Sequence, residues 1–218
     1  MSRENLSKAE LYIHKTFVKE DADLLRVVEA LKKDDKFGIN VSGVEGRFLQ
    51  FLVGVLGAKL VVEVGVLYGY STLWMAKALP ADGKIIAIEY SEENFTKARE
   101  LIAASDVAPK VELIHGDARE VLQKLEVKPD LVFIDADKAN YRYYLDWAMK
   151  FINIGGVIVG DNTFLFGHMT NDDRGKKVSD AAISSMKYFN ETLAASSNFR
   201  AIQLPTYEGM TLAQRLDR

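Results

Sequence analysis

The chain has 218 residues, with 28 Lys and Arg against 31 Asp and Glu, a formal charge of -3 and no cysteine. Disulfides, thiolate metal sites and cysteine nucleophiles are therefore excluded, and so nearly balanced a surface gives no support to a broad nucleic-acid footprint. Hydrophobic residues make up 48%, with no apolar run long enough to span a bilayer and no leader-like N-terminus, so the expectation is one cytoplasmic domain over residues 1–218 without membrane association.

From Lys8 to Lys32 apolar residues recur at three- and four-residue steps, which predicts one or two amphipathic helices. The charged run Lys32-Lys33-Asp34-Asp35-Lys36 reads as a solvated turn. A helix after Ser42 is expected to carry Phe48, Leu49, Phe51, Leu52 and Leu56 toward a core, so that helices over about 1–57 precede the first strand. Short apolar runs then follow at 59–64, 84–89, 111–115, 130–135 and 156–160, separated by helical patterns at Ser71–Leu79, Glu92–Ala104, Ala118–Leu125 and Tyr141–Phe151. Strands apolar on both faces and alternating with helices predict a parallel sheet covered on both sides. A further helix is expected from after Asp172 to about Ala195. Phe199–Leu204 and Met210–Leu216, joined through residues 205–209, read as an antiparallel pair closing one edge. The fold class is α/β, a Rossmann-like doubly wound sheet.

In such sheets ligands bind beyond the carboxyl ends of the strands, and the polar residues of this chain gather there. The first run ends in Glu63-Val64-Gly65-Val66-Leu67-Tyr68-Gly69-Tyr70-Ser71, a turn with G-x-x-x-G spacing. That is not the G-x-G-x-x-G of a dinucleotide site. The second ends at Glu89, where a carboxylate can accept both hydroxyls of a ribose. The third leads into Gly116-Asp117-Ala118, whose Asp117 can cap the following helix or receive an adenine amino group. Three such positions in succession have the layout of a nucleoside pocket.

The fourth and fifth runs end in Asp135-Ala136-Asp137-Lys138 and Asp161-Asn162-Thr163. Neighbouring strand ends lie about 5 Å apart, so Asp135, Asp161 and Asn162 can converge on one cation. Two carboxylates and an amide oxygen suit Mg²⁺, Ca²⁺ or Mn²⁺. The alternative is that the carboxylates cap helices or pair with Lys138 and Arg142. His14, His115 and His168 form no triad or metal pair, and His115 reads as packing. Trp74 and Trp147 read as core, and Tyr68, Tyr70 and Tyr90 as candidates to line a cofactor.

With these residues in view, the chain resembles the class I, cation-dependent O-methyltransferases typified by catechol and caffeoyl-CoA O-methyltransferases, and more nearly the second. The resemblance runs from about Asn40 to the C-terminus through NVSGVEGRFL, VVEVGVLYGYSTL, ALPADGKI, GDA, VFIDADKANY and GGVIVGDNT. It implies a seven-stranded sheet, mostly parallel with an antiparallel C-terminal strand, and a homodimer that uses S-adenosylmethionine and a divalent cation. Carried over by motif, Glu63, Gly65 and Ser71 serve the methionine part and the first turn, Glu89 the ribose, and Asp117 and Ala118 the adenine. Tyr90 lines the site, and Val41 touches the cofactor through backbone. Asp135, Asp161 and Asn162 match the metal ligands, Asp135 and Asp137 are further cofactor contacts, and Lys138 matches the general base, with Asp135 beside it in the catalytic group. Thr163-Phe164-Leu165-Phe166-Gly167 departs from the usual Thr-Leu-Trp-x-Gly, and Tyr207-Glu208-Gly209 from Gly-Asp-Gly, which leaves the acceptor open.

The implied activity is metal-dependent methylation of a vicinal dihydroxy small molecule, such as a caffeoyl derivative. A hydroxylated tRNA nucleoside is the alternative acceptor, against which the charge of -3 weighs. A nicotinamide-dependent oxidoreductase lacks its fingerprint here, and a non-catalytic nucleoside binder would not need Lys138 beside a metal triad.

Overall fold

A computed structural model describes residues 8–172 and 176–217. Seven strands form one sheet in the order β3-β2-β1-β4-β5-β7-β6, with β1 at Leu60–Val64, β2 at Lys84–Glu89, β3 at Val111–His115, β4 at Leu131–Ile134, β5 at Val157–Asp161, β6 at Phe199–Leu204 and β7 at Met210–Arg215. β1 and β4, β4 and β5, and β2 and β3 pair in parallel, whereas β7 runs antiparallel to both β5 and β6. The expected reversed last strand is therefore present. The chain divides into two compact units, one of Met1–Lys59 and Val66–His115 and the other of Leu60–Gly65 and Gly116–Arg218.

The first unit holds α1 (Lys8–Phe17), α2 (Ala22–Lys33), α3 (Gly43–Leu56), α4 (Tyr70–Ala76) and α5 (Glu92–Ala103) with β2 and β3. Ser42 starts α3 through a capping box: its hydroxyl accepts from the Glu45 amide, and the Glu45 carboxylate accepts from the Ser42 amide at 2.7 Å. Leu49 and Val53 of α3 are buried, but Phe51 lies exposed, contrary to expectation. Gly46 is required where α3 meets α4, because a Cβ there would lie 2.3 Å from the Trp74 ring. Trp74 is core, as read from its helical pattern. β3 is not apolar on both faces, since it is the sheet edge and its residues are half-buried or exposed.

The run at 32–36 is not a free solvated turn. Asp34 accepts the Tyr68 hydroxyl at 2.8 Å, and Lys36 donates to Asn94 at 2.9 Å, pairs with Glu93 and lies over the Tyr68 ring. Lys77, just past α4, contacts Asp21 at 2.8 Å, Asp106 at 3.0 Å and Asp23 at 3.1 Å. Asp21 is also the N-cap of α2, so one ammonium fastens α2, α4 and the loop before β3 together.

The second unit holds β1, α6 (Ala118–Lys124), β4, α7 (Tyr141–Phe151), β5, α8 (Asp180–Ala195), β6 and β7. α7 packs on β4, and α8 on α7 and β6, with Trp147 buried as expected. α8 starts later than its sequence pattern suggests because the Ser179 hydroxyl caps it by accepting from the Ala182 amide at 3.2 Å; the expected start falls on residues 173–175, outside the described ones. Asn190, Thr163, Gln203 and Thr211 form a polar network that ties α8, the end of β5, β6 and β7. Among the described residues, no helix is long and apolar enough to cross a membrane.

Burial works against ionisation of Asp23, but Lys77 and Arg26 hold its carboxyl below the ordinary 3.8. Burial likewise opposes the charge on Lys77, yet its carboxylate partners raise its pKa above the ordinary 10.5. The Asp23 contribution to stability is present above pH 3.8 and fades as pH falls through its folded value; that of Lys77 is present below 10.5 and fades as pH rises past it. Lys77→Met should therefore lower the unfolding free energy at neutral pH by about 1–3 kcal/mol, less than a fully buried pair because Asp21 and Asp106 are exposed. The gap from the parent should narrow below pH 3.8 and above 10.5. Urea unfolding across pH tests this, and a pH-independent gap would refute it.

Candidate active site

In the first unit the turn after β1 is held by Glu89, the last residue of β2. Its Oε2 accepts the amides of Val66 and Leu67 at 3.0 and 2.9 Å, and its Oε1 accepts that of Ser91 at 2.8 Å. Charge-assisted bonds of this kind are about twice as strong as neutral ones, and here they fix a turn in which Leu67 adopts φ +55° and Gly69 +88°. A carboxylate has about four acceptor directions. Three are used, so Glu89 is at once a brace for the turn and a remaining acceptor for a ligand hydroxyl. Ser71 stands buried in the first turn of α4.

The tyrosines sort differently from their sequence positions. Tyr68 and Tyr70 are buried and send their hydroxyls to Asp34 and Glu20. Tyr90 is 75% exposed, and its carbonyl lies 3.1 Å from His115 Nε2. His115 is exposed, and its ring lies against that of Phe95, with centroids 5.1 Å apart. Val41 is buried and its carbonyl accepts from Asn40 at 3.0 Å.

In the second unit Glu63 is fully buried within β1, opposite Phe133 of β4. Gly65 follows at φ +92°, and a Cβ there would lie 2.2 Å from the Asp135 carbonyl oxygen. No side chain fits between these backbones, which is the physical content of the first glycine of the motif.

Asp135, Lys138, Asp161 and Asn162 come together beyond the paired ends of β4 and β5, where Ile134 is in register with Gly160. Lys138 Nζ donates to Asp135 Oδ1 at 3.0 Å, to the Tyr141 hydroxyl at 2.6 Å and to the Asp161 carbonyl at 3.3 Å. Asp161 is buried, and its Oδ1 accepts the Asn162 amide at 2.8 Å. Asn162 sits at φ +54°, a left-handed conformation that Asn tolerates better than most residues. Of the pairings set against a metal role, that of Asp135 with Lys138 is present. Arg142 instead lies over the Tyr188 ring.

The donor set is two carboxylates and an amide, all hard oxygens, with an ammonium already drawn to one of them; these residues fit a divalent cation such as Mg²⁺. Among the described residues no group of three or more His, Cys, Asp or Glu could hold a metal, so any site here needs Asn162 and outside ligands to complete it.

Asp117 caps α6, accepting the Arg119 amide at 2.9 Å and pairing with the guanidinium at 2.6 Å. The Arg119 hydrogen bond holds its carboxyl below the ordinary value. The capping reading of Asp117 is thus realised, with Ala118 buried behind it. Asp137 accepts the Tyr144 hydroxyl at 2.6 Å and the Asn140 amide. Burial first, and then Asp137, pushes the Tyr144 hydroxyl well above the ordinary range.

The sequence reading missed Tyr141, Tyr144 and Arg119. Tyr141 is fully buried, with its hydroxyl 2.9 Å from the Ile134 carbonyl and 2.8 Å from that of Asp161. Its i+3 spacing from Lys138 at a helix start was the available signal.

A family model described as O-methyltransferase matches residues 14–216. A catechol O-methyltransferase of Niastella koreensis is 32% identical over 98% of this chain and 99% of its own length. Caffeoyl-CoA O-methyltransferase 1 of Zea mays is 36% identical over 82% of this chain and 72% of its own. The structure of the O-methyltransferase TomG from Streptomyces achromogenes, in complex with SAM, superposes with a TM-score of 0.87 at 32% identity and covers all of both chains. These agree with the resemblance carried by the motifs.

Gly65→Ala should destabilise the protein by about 3 kcal/mol or more, because it sets a Cβ against rigid backbone at a left-handed φ. Ala at Gly155, also at positive φ but with open space around it, should cost less. Equal thermal shifts for the two would show that the contact with Asp135 does not matter.

Proposed function

We propose that this chain, which belongs to the O-methyltransferase family, transfers the methyl group of S-adenosylmethionine to one hydroxyl of a catechol-like acceptor, with a divalent cation held by Asp135, Asp161 and Asn162. The observation that carries this reading is the hard-oxygen set at the adjacent ends of β4 and β5 with Lys138 on it. The catechol and caffeoyl-CoA O-methyltransferases among the relatives support the acceptor class.

A sulfonium methyl is already activated, so the protein's task is to present an oxygen in line with the carbon–sulfur bond. The acceptor oxygen forms its bond to the methyl carbon as that bond breaks, leaving S-adenosylhomocysteine and releasing the hydroxyl proton. A phenol is mostly protonated at neutral pH, with an ordinary pKa of about 10. A cation held by Asp135, Asp161 and Asn162 would supply charge that favours the oxyanion and would suit an acceptor with adjacent hydroxyls. Lys138 is the base that would take this proton at Nζ, once it has given up one of those it directs at Asp135, the Tyr141 hydroxyl and the Asp161 carbonyl. Asp135 and the Tyr141 hydroxyl hold that nitrogen in place. Glu89 would use its remaining acceptor capacity for the ribose hydroxyls of the donor, and Asp117 and Ala118 would serve its adenine. Glu63, Gly65 and Ser71 form the turn side, with Asp137, Val41 and Tyr90 as further contacts.

Two coarser proposals accompany this one. A reducing, cytoplasmic setting fits a chain without cysteine. A homodimer fits the exposed apolar residues Tyr12 and Phe17 of α1 and Phe51 and Val55 of α3.

Labelled methyl transfer from S-adenosylmethionine to catechols, caffeoyl esters and bulk tRNA, with Mg²⁺ or with EDTA, tests the activity. Cation-dependent labelling of vicinal diols is expected; labelling indifferent to EDTA overturns the metal role, and labelling confined to tRNA overturns the acceptor. Asp161→Ala should lower turnover by roughly 100-fold or more while S-adenosylhomocysteine affinity changes little. Equal loss of both would remove the division of roles.

A further inference from the structure

The hydroxyl of Tyr141 reaches the two peptide bonds from which all three proposed cation ligands hang. The Ile134 carbonyl, at 2.9 Å, belongs to the peptide that leads into Asp135; the Asp161 carbonyl, at 2.8 Å, belongs to the peptide that joins Asp161 to Asn162. Ile134 and Gly160 are the last β4–β5 pair, so direct pairing between these two strands ends at the carbonyls, although Asp135 is still tied to β1 through Val64 and Asp161 to β7 opposite Met210. The same oxygen accepts from Lys138 Nζ at 2.6 Å.

The ring behind this hydroxyl is fully buried and packs edge-on against Phe189 of α8, with centroids 5.3 Å apart. Its position is thus set by the core and not by the site. A side chain anchored at one end, whose single hydroxyl proton is shared at the other between two strand-end carbonyls while its oxygen accepts from a lysine, has the geometry of a spacer.

We infer that Tyr141 is a positioning residue that sets the separation of Asp135 from Asp161 and Asn162, and so the affinity of this protein for a divalent cation. The inference rests on the cation reading above. Phenylalanine at 141 keeps the ring and its packing but releases both carbonyls and the lysine. Residues that orient metal ligands from behind typically contribute 10- to 100-fold in metal affinity. Tyr141→Phe is therefore expected to bind Mn²⁺ about 10-fold more weakly or worse.

The test is calorimetric titration of Mn²⁺ into the full chain without acceptor, for the parent, Tyr141→Phe, Asp161→Ala and Lys77→Met. S-adenosylhomocysteine affinity measured on the same samples reports whether each is folded. Lys77→Met is a destabilised control remote from the ligands in sequence, and it should keep parental Mn²⁺ affinity. Weakening in Tyr141→Phe but not in Lys77→Met, with S-adenosylhomocysteine affinity retained, supports the assignment. Parental Mn²⁺ affinity in Tyr141→Phe, while Asp161→Ala loses binding, overturns it and leaves the cation reading intact. Equal weakening in Tyr141→Phe and Lys77→Met makes the effect one of general stability and overturns it too. No Mn²⁺ binding by the parent removes the cation reading and this inference together.

Discussion

Charge is costly in strands that are buried on both faces, as β4 and β5 are, and this constraint orders the site and much that surrounds it. β4 and β5 are apolar along their lengths and admit a carboxylate only at or beyond their carboxyl ends. Parallel pairing then sets those ends side by side, so the polar groups that the core rejects collect in one place. The two strand ends need partners of their own, because a strand that stops leaves its last carbonyls open. Tyr141 answers that need at β4 and β5, and Glu89 does the same for the amides after β1. What looks like a constellation of functional groups is also the way the sheet terminates.

The strands and the identity of the strand-end residues were legible because they follow from hydrophobic pattern alone. The runs at 84–89 and 111–115 became strands with those bounds, and Tyr141–Phe151 became a helix with those bounds. Element starts governed by a single capping side chain were harder. Ser179 moves the start of α8 to Asp180, and no periodicity announces which of several serines will cap. The exposure of Phe51 was hidden for another reason: it lies on the helix face away from Leu49 and Val53, and pattern does not say which apolar stripe meets the core.

The site was legible in its first layer and not in its second. Asp135, Asp161 and Asn162 follow apolar runs directly, so their convergence could be inferred from strand spacing. The hydroxyls of Tyr141 and Tyr144 and the guanidinium of Arg119 engage through side-chain geometry that sequence spacing suggests only faintly. The charged run at 32–36 failed in the same way. Its Asp34 and Lys36 find partners 34 and 57 residues further along, at Tyr68 and Glu93, and nothing local foretells a contact across such a distance.

The contacts of Lys77 have a thermal side. Ions lose favourable hydration as temperature rises, so an ammonium shared among Asp21, Asp23 and Asp106 becomes cheaper to keep dehydrated in the warm, while apolar contacts gain little. The attachment of α2 to α4 therefore depends on heat differently from the apolar packing around it. On cooling, the apolar contribution weakens and the partly buried ammonium grows more costly to keep from water, so both terms that attach α2 to α4 decline together.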